Sequence, residues 1–154
     1  MTDHDKTPVQ SHSGPAATPA PLEVSIPISL GELLDKVSIL EIKSERITQP
    51  ERLVNVHHEL ALLNAARDAT LGPLSAEIAS LAQQLKAVNE RIWDAEEVVH
   101  GEDHATLSDA AFLRQARIAF EQNDSRARLK RKINDLTGSA VVEEKSYPNF
   151  GEEG

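Results

Sequence analysis

Apolar residues recur through the middle of the chain at alternating spacings of four and three positions. One segment keeps this pattern over eight residues: Leu74, Ile78, Leu81, Leu85, Val88, Ile92, Ala95 and Val99. Such positions form a single stripe along a helix of about 39 Å, and only another helix offers a groove that matches the stripe. The pattern therefore predicts a chain that folds by packing helices together.

Signals for helix caps define two helices before this segment. Ser29 and Glu32 have the spacing of a capping box, so a first helix is predicted from Ser29 to about Ile47. Pro50, placed where its missing amide donor does no harm, opens a second helix that runs to about Leu71. The connections on either side of this second helix are only a few residues long. Successive helices are therefore predicted to fold back antiparallel on each other.

Two further helices are predicted after Gly72-Pro73. The third runs from there to about His100, and the fourth is capped by Ser108-Asp109 and ends at Gly138. The apolar face of the fourth helix changes after Asn123, which predicts a kink or a new cap at that point. The apolar positions are Phe112, Ala116, Ala119 and Phe120 before the change, and Leu129, Ile133 and Leu136 after it.

Both ends of the chain differ from the helical centre. Residues 1–21 are rich in proline and poor in apolar side chains, so they are predicted to be a disordered tail. Residues 22–28 alternate apolar and polar positions, and they are predicted to be extended and able to pair with residues 141–147. The predicted fold is an all-α antiparallel bundle of about four helices in coiled-coil-like hairpins. It forms one domain over residues 22–147, with short extended segments near both ends and a flexible tail at 148–154.

Composition narrows the possible function. A net charge of −9 disfavours nucleic acid and anionic bilayers as partners. The sequence contains no stretch of 18 apolar residues, so insertion into a membrane is not predicted. Cysteine is absent, so disulfides and thiolate metal sites are excluded, which is consistent with a cytoplasmic location. The chain has one Glu-x-x-His motif, Glu97 to His100, where di-iron bundles need two. No catalytic residue, metal site or cofactor is predicted.

A few polar residues fall on apolar helix faces, where they are costly unless paired. Glu41, His57 and Asn89 are predicted at about the same height in the antiparallel stack, and Arg67 lies on the same side of the second helix as His57. One interpretation is a Glu–His acid/base pair. The other is a polar layer that fixes helix register, and this structural interpretation is the stronger because no nucleophile accompanies the residues.

The fourth helix carries a dense basic run of five residues, namely Arg126, Arg128, Lys130, Arg131 and Lys132. These residues could bind a small anion or an acidic partner. At helical spacing they spread around most of the circumference, which instead favours a solvated surface that balances the charge near a helix C-terminus.

Second apolar positions occur on two helices, away from the main stripes. Ile39 and Ile42 lie opposite the stripe of the first helix, and Trp93 lies beside small residues on the third. These faces predict either burial at the centre of the bundle or self-association.

Two motifs near the ends of the chain support a family resemblance. The run from Ile26 to Lys43, IPISLGELLDKVSILEIK, resembles the opening of a family of uncharacterised bacterial proteins. The run NDSRARLKRKIN from Asn123 and the closing EEKSY, which ends at Tyr147, resemble the ending of that family. The resemblance implies no established activity and supplies no catalytic residues. It implies that polar members of the two motifs meet if the ends of the bundle lie side by side.

These observations favour a non-enzymatic helical module for protein–protein interaction or assembly, with a protein partner or a second copy of the chain. The alternative is a small-molecule enzyme or anion-binding protein that uses the polar layer inside the bundle.

Overall fold

Four α-helices account for most of residues 22–101 and 104–146, the part of the chain that the computed structural model describes. They are α1 (Leu30–Arg46), α2 (Pro50–Leu71), α3 (Ala76–His100) and α4 (Asp109–Thr137), with one turn of 3-10 helix between α3 and α4. No strand occurs in the described ranges, so the all-α prediction is confirmed. The predicted tails at 1–21 and 148–154 lie outside the described residues.

Serine side chains begin three of the helices. The hydroxyls of Ser29, Ser75 and Ser108 each accept a hydrogen bond from a backbone amide three positions ahead, at 3.1 to 3.3 Å. Gly72 and Gly138 follow α2 and α4 with positive φ values of 60° and 63°. The predicted helix limits are thus confirmed to within three residues, the largest difference being that Ser75 caps α3.

Helix α1 forms the middle layer of the bundle, between α2 and the antiparallel hairpin of α3 and α4. The main core cluster joins one side of α1 to that hairpin and consists of Leu34, Ile78, Leu81, Leu85 and Ile133. Helix α2 packs against α1 and does not contact α3 or α4. The prediction that α2 and α3 fold back on each other is therefore wrong: a short connection limits the distance between helix ends, but it does not force the helices to pack.

Helix α4 is one uninterrupted helix of 29 residues, so the predicted new cap near Asn123 does not form. Its apolar face changes because its two halves have different neighbours. The second half packs against α1 and α3, and Ile133 there is fully buried. In the first half, Phe112 and Phe120 remain about half exposed, so the apolar face predicted from them does not lie in the core.

The two segments predicted to be extended do not pair as strands. Residues 22–28 and 141–146 have no regular secondary structure, and nearly all of them are exposed. A hydrogen bond links residues just inside the two segments, where the Leu30 amide donates to Ser139 Oγ at 3.4 Å. Pro27 lacks an amide donor, which makes a ladder of strand hydrogen bonds unfavourable there.

Candidate functional site

A buried carboxylate lies where α1, α3 and α4 meet. Asp35 of α1 has no exposed surface. Arg126 of α4 binds it with both ends of the guanidinium fork: Nε donates to Oδ1 at 2.8 Å, and Nη2 donates to Oδ2. Asn89 of α3 also donates to Oδ1, at 2.9 Å, and to Ser38 Oγ at 2.8 Å. Each buried polar side chain in this group therefore has a partner on another helix, as burial of charge requires.

A close approach of α1 and α4 lies one turn away from Asp35. The amide of Gly31 donates to Asn134 Oδ1 at 2.7 Å. A Cβ atom at Gly31 would lie only 2.5 Å from the carbonyl oxygen of Lys130 and 2.9 Å from Asn134 Oδ1. Glycine is needed here because the backbone of α4 occupies the space that a side chain would take.

An ion-pair chain borders this contact. Lys130 Nζ lies 2.6 Å from Glu32 Oε2 and 3.2 Å from Glu143 Oε2. Burial disfavours the charged form of Lys130, but the hydrogen bond to Glu32 and the attraction of nearby carboxylates outweigh it and raise the lysine pKa. Glu143 also pairs with Lys145, and the hydrogen bonds from these two lysines lower the pKa of Glu143.

Polar members of the opening and closing motifs thus meet across α1 and α4, as the family resemblance implies. The sequence interpretation nevertheless missed the central residue, Asp35, together with Ser38. A signal for them exists: Gly31, Asp35, Ser38 and Ile42 follow the four-three-four spacing of a second stripe on α1. Ile42 is 1% exposed, so this second stripe is buried against the hairpin. Trp93 and Ile39 are also partly buried, so these faces are used inside the bundle.

The structure does not bring the predicted polar layer together. Asn89 is buried in the Asp35 group, whereas Glu41 lies at the edge, 3.7 Å from Lys86. His57 is exposed on α2, which does not contact α3. Arg67 pairs with its neighbour Asp68, with Nε 2.8 Å from Oδ1. The prediction placed these residues at one height because it assumed that α2 packs against α3.

The five basic residues of α4 divide into two groups. Arg126, Lys130 and Arg131 pair with carboxylates of α1, of α4 itself and of the segment after it; Arg131 Nη1 lies 3.3 Å from Glu144. Arg128 and Lys132 line a groove between α3 and α4 that has a volume of about 380 Å³, and Arg128 Nη2 also donates to Ser125 Oγ at 3.1 Å. Only this second group therefore faces a concave surface on the α3 side of α4.

The described residues contain neither a cluster of metal ligands nor a helix that could span a membrane. Within 22–101 and 104–146, no three His, Asp or Glu side chains lie close enough together to hold a metal ion. His100 of the Glu-x-x-His motif lies 3.2 Å from Glu96. None of the helices in these ranges is both long and apolar enough to cross a bilayer.

Comparison with known proteins gives one match. Neither a curated protein nor a solved structure matches the chain. The model of a family of unknown function, DUF6165, matches residues 24–150, which include both motifs and every member of the Asp35 group. The chain belongs to this family of unknown function.

Proposed function

We propose that this protein is a non-enzymatic helical interaction module that self-associates through the free end of its α3–α4 hairpin. The observation that carries the proposal is a set of large apolar side chains exposed at that end, namely Val98 of α3 and Phe112, Leu113 and Ile118 of α4. We call these four residues the distal apolar surface.

The arrangement of this surface around α4 supports a docking role. At about 100° per residue, Phe112, Leu113 and Ile118 point in three different directions, so α3 alone does not cover them. A helix that is apolar on several sides is usually buried among several neighbours. A further helical partner would remove part of this surface from water; Leu113 and Ile118, for example, line one surface groove of α4.

Charge supports a second copy of the chain as that partner. The same end of the hairpin carries acidic residues on α3, Glu96 and Glu97, and basic residues on α4, Arg114 and Arg117. A two-fold interface places one patch against its own copy, which requires the patch to be self-complementary. A patch with both signs of charge meets this condition in spite of the net charge of −9.

The alternative function, a small-molecule enzyme or an anion-binding protein, would use the polar side chains inside the bundle. In the described residues, these side chains are engaged with each other. Asp35 is bound by Arg126 and Asn89, and Lys130 by two carboxylates. Because a ligand would have to break those pairs, the geometry favours the interaction module.

Sedimentation equilibrium of the full chain, from micromolar to millimolar concentration, tests the proposal. The mass of the wild type is expected to rise with concentration. The double variant Phe112→Ser, Leu113→Ser is expected to remain monomeric with an unchanged circular dichroism spectrum. The matched control, Val54→Ser with Leu62→Ser, alters exposed apolar residues of α2 and should associate like the wild type. A wild type that stays monomeric throughout would contradict the proposal.

A further inference from the structure

Residues 22–28, which we call the arm, present apolar side chains to water just before α1. Leu22, Val24 and Ile26 alternate along the arm and are 101%, 86% and 69% exposed. Successive side chains of extended backbone point in opposite directions, so these three lie on one side of the arm whenever it docks in an extended form. The only charged residue of the arm is Glu23.

The groove between α3 and α4 has the complementary chemistry. Its floor is apolar and includes Ala87, Val88 and Leu129. Its rim carries three cations, Arg91, Arg128 and Lys132, and no carboxylate is among the residues that line it. The neutral polar residues Gln84 and Ser125 complete its lining. In a chain with a net charge of −9, a concave surface that carries positive charge and apolar groups is suited to an apolar segment with negative charge.

The arm and the groove also agree in length. From Gln84 to Arg91 the groove follows α3 for about 11 Å, at the helical rise per residue. From Leu22 to Ile26 the arm extends for about 13 Å, at the rise of an extended chain. Pro27 has no amide to donate, so the arm is better suited to a groove lined by side chains than to a sheet edge.

We infer that the arm of one copy lies in the α3–α4 groove of a second copy, with its apolar row on the groove floor and Glu23 at the basic rim. The arm is placed in the groove of a second copy, and not in its own, because of where it joins α1. Ser29 lies on the side of α4 that faces α1, where Lys130 pairs with Glu32. Lys132 lies two positions further along α4, about 200° around the helix, so the groove opens on the other side.

This inference rests on the proposed self-association and adds a second contact to it. The absence of native cysteine allows a direct test by crosslinking. Full-length Val24→Cys and Ala87→Cys variants are mixed and oxidised, and the heterodimeric disulfide is measured by mass spectrometry. Val24→Cys mixed with Ala61→Cys is the matched control, because Ala61 is exposed on α2, away from the groove.

We expect the Val24–Ala87 heterodimer to form at least tenfold faster than the control pair. Lys132→Glu should slow its formation severalfold, and the added exchange Glu23→Lys should restore much of the rate. Equal rates for the two pairs would overturn the inference. So would a double variant, Val24→Cys with Ala87→Cys, that crosslinks only within one chain.

The crosslinking result and the sedimentation result can be separated. A Phe112→Ser, Leu113→Ser chain that associates like the wild type and still forms the Val24–Ala87 crosslink would support the arm and overturn the distal apolar surface. A wild type that associates through the distal apolar surface without that crosslink would support the distal apolar surface and overturn the inference on the arm.

Discussion

Asp35 is the residue on which three helices depend. Its carboxylate is fully buried and takes hydrogen bonds from Arg126 and Asn89, on two different helices. A buried ion pair costs desolvation when it forms, so its presence is weak evidence for high stability. Removing one partner is a different matter, because the remaining charge stays buried. The group therefore fixes how the helices align more than it adds to the free energy of unfolding.

Replacing Arg126 with methionine is expected to lower the free energy of unfolding by about 3–5 kcal/mol, because the carboxyl group of Asp35 would stay buried without its cation. Arg126→Lys should recover only part of the loss, since one ammonium group cannot reproduce the two-point contact. Urea unfolding followed by circular dichroism measures both. Arg52→Met, at an exposed arginine of α2, should change the value by less than about 0.5 kcal/mol. A comparable loss in both methionine variants would contradict this role of Arg126.

Gly31→Ala separates helix propensity from packing. Alanine is favoured over glycine within a helix by about 1 kcal/mol, so propensity alone predicts a more stable protein. The added Cβ would lie 2.5 Å from a backbone oxygen of α4, which cannot rotate away. We therefore expect a net loss of about 1–3 kcal/mol in urea unfolding. An increase in stability would show that α1 and α4 separate without cost.

At the scale of helices, local sequence was sufficient to find each element. The serine caps, Pro50 and the two glycines with positive φ act within a few residues of each helix end, so their effect can be inferred without knowing the fold. Which helices contact each other could not be inferred from local sequence. The connection from Gly72 to Ser75 is compatible with packing of α2 on α3, yet α1 occupies the position beside both.

The same limit explains how much of the site was predictable. The resemblance brought the polar residues of the two end motifs together correctly, because both motifs flank the contact of α1 with α4. The predicted polar layer of Glu41, His57 and Asn89 failed because it depended on the order of the helices. Asp35 was overlooked since its stripe on α1 is interrupted by Gly31 and Ser38, which carry little apolar surface.

The ion-pair chain that joins α1, α4 and the segment after α4 should be sensitive to alkaline pH. Attraction to Glu32 raises the Lys130 pKa above its ordinary 10.5 in the folded protein. A raised pKa means that the stabilisation is complete below 10.5 and is lost as pH rises through the folded value. We expect Lys130→Met to be less stable than the wild type by about 1–3 kcal/mol at pH 8, with the difference narrowing above pH 10.5. Urea unfolding at a series of pH values measures this difference, and a gap that widens with pH would contradict the assignment.

At the scale of the whole molecule, α1 is the one of the four helices in the described residues that contacts all three others. Helix α1 is covered by α2 on one side and by α3 and α4 on the other, so the apolar residues on both of its sides are buried or partly buried. Helix α2 is the opposite case, since Val56 is its only buried residue and keeps 8% of its surface exposed. The bundle thus consists of a three-helix core with one helix attached to its centre.

Because α2 contacts only α1, it is predicted to unfold locally before the other helices do. Helix α2 buries little apolar area, so its amides should exchange with deuterium faster than those of the second half of α4 by a factor of at least ten. Hydrogen exchange followed by mass spectrometry, on peptides from residues 52–68 and 124–136, measures the ratio. Val56→Ala should speed exchange in the first peptide alone. Equal protection of the two peptides would mean that α2 opens only when the whole domain unfolds.

The bond from the Gly31 amide to Asn134 joins residues that are 103 positions apart. At ribosomal speeds of roughly 5–20 residues per second, α1 waits about 5–20 s for the helix that covers it. Until then, Asp35 has no cation, because Arg126 is made 91 positions later, whereas Asn89 of α3 is made 54 positions later. The central helix of the domain is thus the first to be synthesised and the last to be enclosed, so a chain halted before α4 should be a target for chaperones and proteases.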